Sequence, residues 1–468
     1  MVAVPILPIV PQDKKMRVKD KKVLVLGMGV SGVAAAHLLR DEKAVVTIGE
    51  IEENEEKRAK AREMMDNGIK VILGSHPLGL LEGQQLIVLS PGIPLDIPLL
   101  QNARLRGIPI VGELELAFRF LRGKSLVAIT GTNGKTTTTL LTGKILEKAG
   151  KDVQIAGNVG VPLAKIARGK SEIIVAEVST FQLETIDKFS PYISCILNIS
   201  TDHFDRHLSL ENYSDLKARI FLNQKNKDFT VLNRDDARVY PLASKTKAQV
   251  IFVSKKDDLK KGVFLQNARI KRRFNKEEEI VSYKELTFAG SHNLENILSS
   301  VAIASLYGVE AEIIREALIE FKGLPHRAEW VGEVEGIEFI NDSKATNEDA
   351  VRSSLKFRSK KTILIMGGKD KGADFSSLRK VVGKKVKKLI LLGEAKRNIR
   401  NQLNGICPIE EVEDMREAVR QAFKDARRGD SILLSPGCAS FDQFKDYKER
   451  GEVFKREVKK LQESDEVD

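Results

Sequence analysis

The sequence predicts an α/β chain of three domains: a Rossmann-like N-terminal domain, a central domain of the phosphate-loop ATPase type with a mostly parallel sheet, and a Rossmann-like C-terminal domain. Three observations carry this. At 468 residues the chain is too long for one hydrophobic core. Short apolar runs that end in glycine alternate with helical patterns, as a parallel sheet requires. One such run, LVAITGTNGKTTTT at 126–139, leads through a glycine-bounded loop directly into a helix.

The first block begins with KVLVLG at 22–27, a buried-strand pattern closed by Gly27-Met28-Gly29-Val30-Ser31-Gly32 and followed by a helical run to Arg40. A strand at 44–48, a polar helix at 54–67 and strands at 70–73 and 85–90 follow. The three glycines suit either a nucleotide at the strand end or tight helix–strand packing. Glu50 closes the second strand, where an acidic residue would hold a ribose. Ser90-Pro91-Gly92-Ile93 ends another strand in a turn at the carboxyl edge of the sheet. Residues 108–123 read as the connection to the second block.

That block opens on the loop Gly131-Thr132-Asn133-Gly134-Lys135-Thr136, with Thr137 starting the helix. Backbone N–H groups at a helix N-terminus attract an anion, Lys135 adds a mobile cation, and the Thr136 hydroxyl suits Mg²⁺. The loop is shorter than G-x-x-x-x-G-K-[ST], which separates it from motor and switch NTPases. Strands are expected at 172–179, 193–199, 230–233 and 249–254, a charged, hairpin-like and peripheral stretch at 255–290, and helices at 292–307 and 311–321. Glu177 ends the apolar strand EIIVAEVS, where a buried carboxylate needs a partner such as Mg²⁺ or must reach solvent. Three of the six histidines, 203, 207 and 292, lie in this block, two of them in the DHFDRH run at the mouth of a strand.

Gly323-Leu324-Pro325 breaks the helical pattern and sets the second boundary, giving domains 1–113, 114–323 and 324–468. In the third block strands at 362–368, 387–393 and 431–437 each end in glycine. Asn341-Asp342-Ser343-Lys344-Ala345-Thr346-Asn347 follows a strand at 337–340. Asp342 or Ser343 suits a helix cap there, while Lys344 beside them suits an anion or phosphoryl group. Arg327 stands at the hinge, and a guanidinium is the natural clamp for a transferring phosphoryl group.

Lys+Arg exceed Asp+Glu by 77 to 65, but basic and acidic residues interleave, as in KKDDLKK at 255–261, without aromatic stacking residues. A solvated surface is expected, with no nucleic-acid partner and an affinity for small polyanions. No apolar run reaches the roughly 18 residues that span a bilayer, so no membrane insertion is expected. The N-terminal segment carries Pro5, Pro8 and Pro11 and no basic residue before its apolar stretch; it reads as part of the mature chain. Three dispersed cysteines fit a reducing cytoplasm.

With these residues in hand, the chain resembles the Mur ligase family over nearly its whole length. The resemblance rests on GTNGKTTT (131–138), GNVG (157–160), AEVSTFQLE (176–184), NISTDHFDRH (198–207), GSHNLEN (290–296), GLPHRAEW (323–330), NDSKATN (341–347), GGKDKGADF (367–375) and LLSPGCASFDQF (433–444). It implies an ATP-dependent amide ligase of peptidoglycan precursor synthesis. NDSKATN and the SPGCASFDQF run resemble the D-glutamate-adding members, which implies UDP-N-acetylmuramoyl-L-alanine and D-glutamate as small-molecule substrates. A family member adding another amino acid, or glutamate to a folate, would differ at those two strings. A nucleotide-dependent switch would carry an NKxD or helicase signature, and none is present.

The resemblance also implies roles. Gly131 to Thr137, with Lys135 central, would hold the ATP phosphates, and Thr136 with Glu177 one Mg²⁺. His203 and Lys217, the lysine carbamylated in the family, would serve a second Mg²⁺, and Lys135, His203, Lys217, Arg327 and Lys344 form the catalytic set. Asn293, Asn296, Arg327, Asp342 and Lys344 would contact the nucleotide; Val30, Ser31, Glu50, Gly92 and Asn158 the UDP-sugar; Thr346, Lys371, Ser440 and Tyr447 the D-glutamate. A cytoplasmic monomer is expected, whose domains close over an acyl phosphate to exclude water.

Overall fold

Parallel strands buried on both faces organise the chain, and each sheet brings its carboxyl-end loops to one edge. The computed structural model describes residues 16–121, 123–200, 210–286, 293–356, 358, 360–370 and 372–465. The first sheet holds β1 (Lys22–Leu26), β2 (Val45–Glu50), β3 (Lys70–Leu73), β4 (Leu86–Leu89) and β5 (Ile110–Gly112), in the order β3-β2-β1-β4-β5 and parallel throughout. Its helices are α1 (Val30–Asp41), α2 (Glu55–Asp66), α3 (Pro98–Leu105) and α4 (Glu113–Phe120). A Cβ on Gly32 would lie 1.9 Å from the Gly27 carbonyl oxygen, so α1 approaches β1 more closely than any side chain permits. The packing role weighed for this glycine is therefore present.

The second sheet holds β6 (Ser125–Thr130), β7 (Val153–Gly157), β8 (Ile173–Glu177), β9 (Ile193–Ile196), β10 (Phe229–Asn233), β11 (Gln249–Ser254), β12 (Gly262–Gln266), β13 (Arg269–Arg273) and β14 (Glu277–Ser282). Their order is β14-β13-β12-β11-β10-β9-β6-β8-β7. Strands β6 to β12 pair in parallel, and β12, β13 and β14 continue the sheet as an antiparallel meander. The charged stretch expected to be peripheral thus forms one edge of this sheet. Helices α5 (Lys135–Lys148), α6 (Leu163–Ile166) and α7 (Thr180–Leu183) follow β6, β7 and β8.

The first two sheets fall in one compact unit. Val23, Val25 and Val88 of the first sheet share a buried apolar cluster with Leu126, Ala128, Ala176 and Ile196 of the second. The first boundary, expected at 113, meets the start of α4, which is buried along nearly its whole length. Glu115, 0% exposed, accepts the backbone N–H groups of Asp187 (2.9 Å), Lys188 (3.0 Å) and Phe189 (2.9 Å), and it pairs with Arg119. Gly112 N–H donates to the Thr185 carbonyl at 3.2 Å. The Phe118 and Phe189 rings meet edge-on with centroids 5.3 Å apart. A segment expected to be a plain connection is thus fastened to the second sheet's own loops.

The second unit takes up the main chain at Phe321, close to the boundary expected at 323. Its sheet holds β15 (Glu329–Val334), β16 (Ile337–Asn341), β17 (Thr362–Gly367), β18 (Val386–Leu392), β19 (Ile409–Glu411) and β20 (Ser431–Leu434), in the order β15-β16-β20-β17-β18-β19. Only β15 runs antiparallel. Apolar clusters cover both faces, one around Phe339 and Phe454, the other around Val351 and Phe375.

Removing the α4 carboxylate would strand three backbone donors in a dry site and take from Arg119 one of its two carboxylate partners, the other being Asp187 at 2.9 Å. Glu115→Ala is therefore expected to lower stability by about 3 kcal/mol in urea unfolding, with Glu115→Gln less affected. Equal stability of Glu115→Ala and the parent chain would refute the fastening role of α4.

Candidate active site

Strand register places the candidate site at the end of β6. In the parallel pairing Ile129 stands beside Glu177 and Gly157 also stands beside Glu177. The Glu177 carboxylate is consequently delivered between the loop after β6 and the turn after β7. Thr136 donates its hydroxyl to Glu177 Oε2 at 2.7 Å, and the Asn158 amide donates to Oε1 at 2.7 Å. A Cβ on Gly157 would sit 2.2 Å from the Glu177 carbonyl oxygen, so the turn needs glycine for both its close approach and its φ of +95°.

The loop itself turns on Gly134, which caps α5 at φ +85° with no side-chain cap bond. The first turn of α5 thus faces the loop with its positive dipole end, an arrangement that favours phosphate. Asn198, beyond β9, fixes the loop from the other side: its Oδ1 accepts Asn133 N–H at 2.9 Å and its Nδ2 donates to the Asn133 carbonyl at 3.2 Å. Thr132 N–H donates to the Asn198 carbonyl at 3.0 Å. Asn296 packs on Gly134, where a Cβ would lie 2.1 Å from its Oδ1, and that oxygen accepts the Thr138 hydroxyl at 3.2 Å.

Two lysines converge on the same loop. Lys135 Nζ donates to the carbonyls of Gly131 (2.9 Å) and Thr132 (2.8 Å), while Lys217 Nζ donates to Gly131 at 3.0 Å. Lys217 is only 2% exposed and lies 4.2 Å from the centre of the Tyr213 ring. The structure thus brings Gly131 to Thr137, Glu177, Asn158, Lys217 and Asn296 together. His203 lies outside the described residues. Asn293 is buried just before the helix Leu294–Leu306.

At the end of the first sheet Val30 is exposed and Ser31 half-buried, in the uncapped first turn of α1. Glu50 turns inward: its carboxylate accepts Met28 N–H (2.7 Å) and Glu52 N–H (3.0 Å) and pairs with Lys57 (3.3 Å). Burial raises its pKa, but the Glu52 and Met28 N–H groups and Lys57 outweigh that, and the net direction is down. These bonds hold the glycine turn after β1 and leave Glu50 a structural task that the ribose reading did not include. Gly92 lines a cleft with Ser90, Glu113, Phe181 and Gln182. Glu113 is 1% exposed; its Oε1 accepts Ala164 N–H at 2.7 Å, and its Oε2 has no hydrogen-bond partner. Burial pushes its carboxyl up to about 7.

The second unit gathers its own set. Strand β20 lies between β16 and β17, so the loops after Asn341, Leu434 and Gly367 meet at one edge. Asp342 accepts Ala328 N–H at 3.1 Å and the hydroxyls of Ser435 at 3.3 Å and Ser354. Burial pushes its carboxyl up to about 6 against those bonds. Lys344 Nζ lies 4.1 Å from the centre of the Tyr447 ring. Arg327 is flanked by His326 at φ +64° and Ala328 at φ +47°, left-handed conformations that cost a non-glycine residue roughly 1 kcal/mol each. The strain is held by His326 N–H on Glu329 (2.8 Å), the His326 ring on Asn341 (2.9 Å) and the Ala328 bond to Asp342. Gly451 leaves room for that ring, since a Cβ there would stand 2.2 Å from His326 Nδ1. Thr346 is exposed, Ser440 buried and Tyr447 half-buried; Lys371 lies outside the described residues.

Three family models match in succession: "Mur ligase MurD-like, N-terminal domain" over 21–112, "Mur ligase middle domain" over 129–304 and "Mur ligase, glutamate ligase domain" over 326–438. The UDP-N-acetylmuramoylalanine--D-glutamate ligase of Thermoanaerobacter sp. is 42% identical over 95% of this chain and 100% of its own. The chain belongs to the Mur ligase family. The Koribacter versatilis relative of the same name is 41% identical over 96% of this Mur ligase and 100% of its own length. The solved structure of the UDP-N-acetylmuramate-alanine ligase of Thermotoga maritima shares the fold, with a TM-score of 0.58, 20% identity and coverage of 95% and 99%.

Several residues that build this Mur ligase site escaped the sequence reading. Asn198 lies within NISTDHFDRH with nothing local to mark it as a clamp, and Asn341 and Gly451 carry no local signal either. Glu113 was hidden in a presumed connection, where only its place directly after a strand-ending glycine marked it.

The Glu113 carboxyl gives a signed pH dependence. Its folded pKa lies above the unfolded value, so from about pH 4.5 to 7 the folded chain holds a proton that the unfolded chain has lost. Its contribution to stability therefore falls as pH rises through that window. Glu113→Gln removes this term and is expected to gain stability relative to the parent chain between pH 5 and pH 8. Melting curves of the two proteins that run parallel across this range would overturn the assignment.

Proposed function

We propose that this Mur ligase joins D-glutamate to UDP-N-acetylmuramoyl-L-alanine, forming an amide bond while ATP is cleaved to ADP and phosphate, in peptidoglycan precursor synthesis. The phosphate loop after β6, with an oxygen pair and two lysine cations around it, carries the phosphoryl-transfer part of the reading. The full-length relatives supply the two substrates.

Thr136 and Glu177 offer adjacent hard oxygen donors, 2.7 Å apart, at a helix N-terminus, a donor set that fits Mg²⁺. When bound there, the ion would neutralise phosphate charge. A second ion would need Lys217 as an anion. Two ammonium groups sharing the Gly131 carbonyl repel one another, and a carbamate on Lys217 would replace that repulsion with a ligand. His203 would complete that second site.

The chemistry follows from charge. The substrate carboxylate takes the γ-phosphoryl group of ATP, giving an acyl phosphate. The D-glutamate amine then attacks its carbonyl carbon, and phosphate leaves. Negative charge grows in both steps, so Lys135, Lys344 and Arg327 act by stabilising it and by orienting the phosphates. The bonded, strained turn around Arg327 fixes the backbone from which its guanidinium extends. Val30, Ser31, Glu50, Gly92 and Asn158 are assigned to the UDP-sugar; Asn293, Asn296 and Asp342 to the nucleotide; Thr346, Lys371, Ser440 and Tyr447 to D-glutamate. No described helix is long and apolar enough to cross a membrane, in keeping with the small-molecule substrates. We assign the working form to a cytoplasmic monomer.

Phosphate release from ATP in the presence of UDP-N-acetylmuramoyl-L-alanine is expected with D-glutamate and not with L-glutamate or L-lysine. Equal turnover with all three would sink the reading. Glu177→Ala and Lys344→Ala are each expected to lose about 100-fold in kcat while keeping the parent circular dichroism spectrum. Near-normal rates would reduce both residues to structural groups.

A further inference from the structure

The loops at the carboxyl edge of the third sheet are joined by a buried cation. Arg450 lies in the helix Tyr447–Asp465 and is 1% exposed. Its Nε donates to Ser343 Oγ at 3.0 Å, and its Nη2 donates to the carbonyls of Ser343 at 2.8 Å and Cys438 at 3.0 Å. Its Nη1 lies 3.4 Å from the carbonyl oxygens of both Gly367 and Ala439. Every one of these acceptors is neutral. A Cβ on Gly368 would stand 3.0 Å from Nη1, so the backbone there is shaped around the guanidinium. Burial pushes Arg450 down to about 10, against the opposing pull of Cys438 and Asp442, and it keeps its proton at neutral pH.

A charge removed from water without a carboxylate partner is costly, and an apolar side chain of similar volume would fill the space more cheaply. What the cation provides is a bond to each of three loops at once: the one after β16 through Ser343, the one after β17 through Gly367, and the one after β20 through Cys438 and Ala439. Those loops carry Lys344 and Thr346, and Ser440. Their carbonyl dipoles solvate the guanidinium, and Asp442 nearby offsets its charge only in part, without a bond to it. An amino acid bearing a second carboxylate would gain from that charge; a neutral one would not.

We infer that Arg450 is a positioning and specificity residue for the amino-acid substrate, holding three loops in register and lending them a buried positive charge, bonded by neutral groups, that favours an acidic side chain. This rests on the reading of D-glutamate as that substrate. It goes beyond it in naming the source of the preference for the side-chain carboxylate.

The test compares the parent chain with Arg450→Met and Arg450→Lys in steady-state assays with ATP and UDP-N-acetylmuramoyl-L-alanine, with D-glutamine added as a neutral competitor. In Arg450→Met the KM for D-glutamate is expected to rise about tenfold or more, while the KM values for the other two substrates stay within about twofold. The ratio of the D-glutamine inhibition constant to the D-glutamate KM should fall about tenfold, and Arg450→Lys should restore most of it. An unchanged ratio in Arg450→Met, or equal rises in all three KM values, would overturn the proposal. Should Arg450→Met fail to fold by circular dichroism, Arg450→Lys decides: a lost preference despite the retained charge would overturn it equally. Failure of the parent chain to use D-glutamate at all is a different result, which removes the proposed substrate and not merely the role of Arg450.

Discussion

The parallel register of β7, β8, β6 and β9 is the constraint on which the site depends. Because these strands run the same way and pair residue for residue, Gly157, Glu177 and Ile129 stand at one level, and the segments that follow them have to meet. The Thr136–Glu177 bond, the Asn158 amide and the Asn198 clamp are consequences of that alignment. A slip of one residue in β8 would turn the Glu177 side chain to the other face of the sheet. The second unit repeats the logic with β16, β20 and β17, where insertion of the last strand between the first two parallel ones makes a crevice at the strand ends.

Buried charge distinguishes the functional ends of these sheets from their apolar middles. Glu115 is met by consecutive backbone N–H groups, Asp342 by two hydroxyls and an N–H, and Arg450 by a ring of carbonyls. Each solution uses oriented dipoles, and at Glu115 the Arg119 guanidinium adds a counter-ion. Glu113 is the unfinished case, with one oxygen bonded and the other alone, and it responds by holding its proton to near neutral pH.

Much of this was legible in the sequence because it is local. The phosphate loop and the glycine-ended strands are patterns of neighbouring residues, and each became an element close to its expected bounds. The separation of the first two domains was less legible, since it depends on how α4 packs: its alternating Glu113 and Glu115 resemble a solvated face until the loop at 187–189 is folded onto it. Edge strands β7 and β19 passed unnoticed, being short and half-polar. Arg450 stayed hidden for the same reason in reverse. It sits in a charged helical run, YKERGEVFKREVKK, where nothing in the local pattern separates the one buried cation from its solvated neighbours.

The meander β12-β13-β14 has a consequence for the molecule among its neighbours in a crowded solution. A nine-stranded sheet offers its outermost strand as a template for another chain's backbone. Here the last two strands are laced with cross-strand charge pairs, Arg269 with Glu279, Lys271 with Glu277 and Arg272 with Glu278, on a strand whose own sequence begins Glu277-Glu278-Glu279. A foreign strand that docked there would have to strip water from those groups and find partners for them. The same charged stretch that looked peripheral in the sequence thus acts as a selvedge, finishing the woven edge so that it neither unravels nor catches on the next fabric.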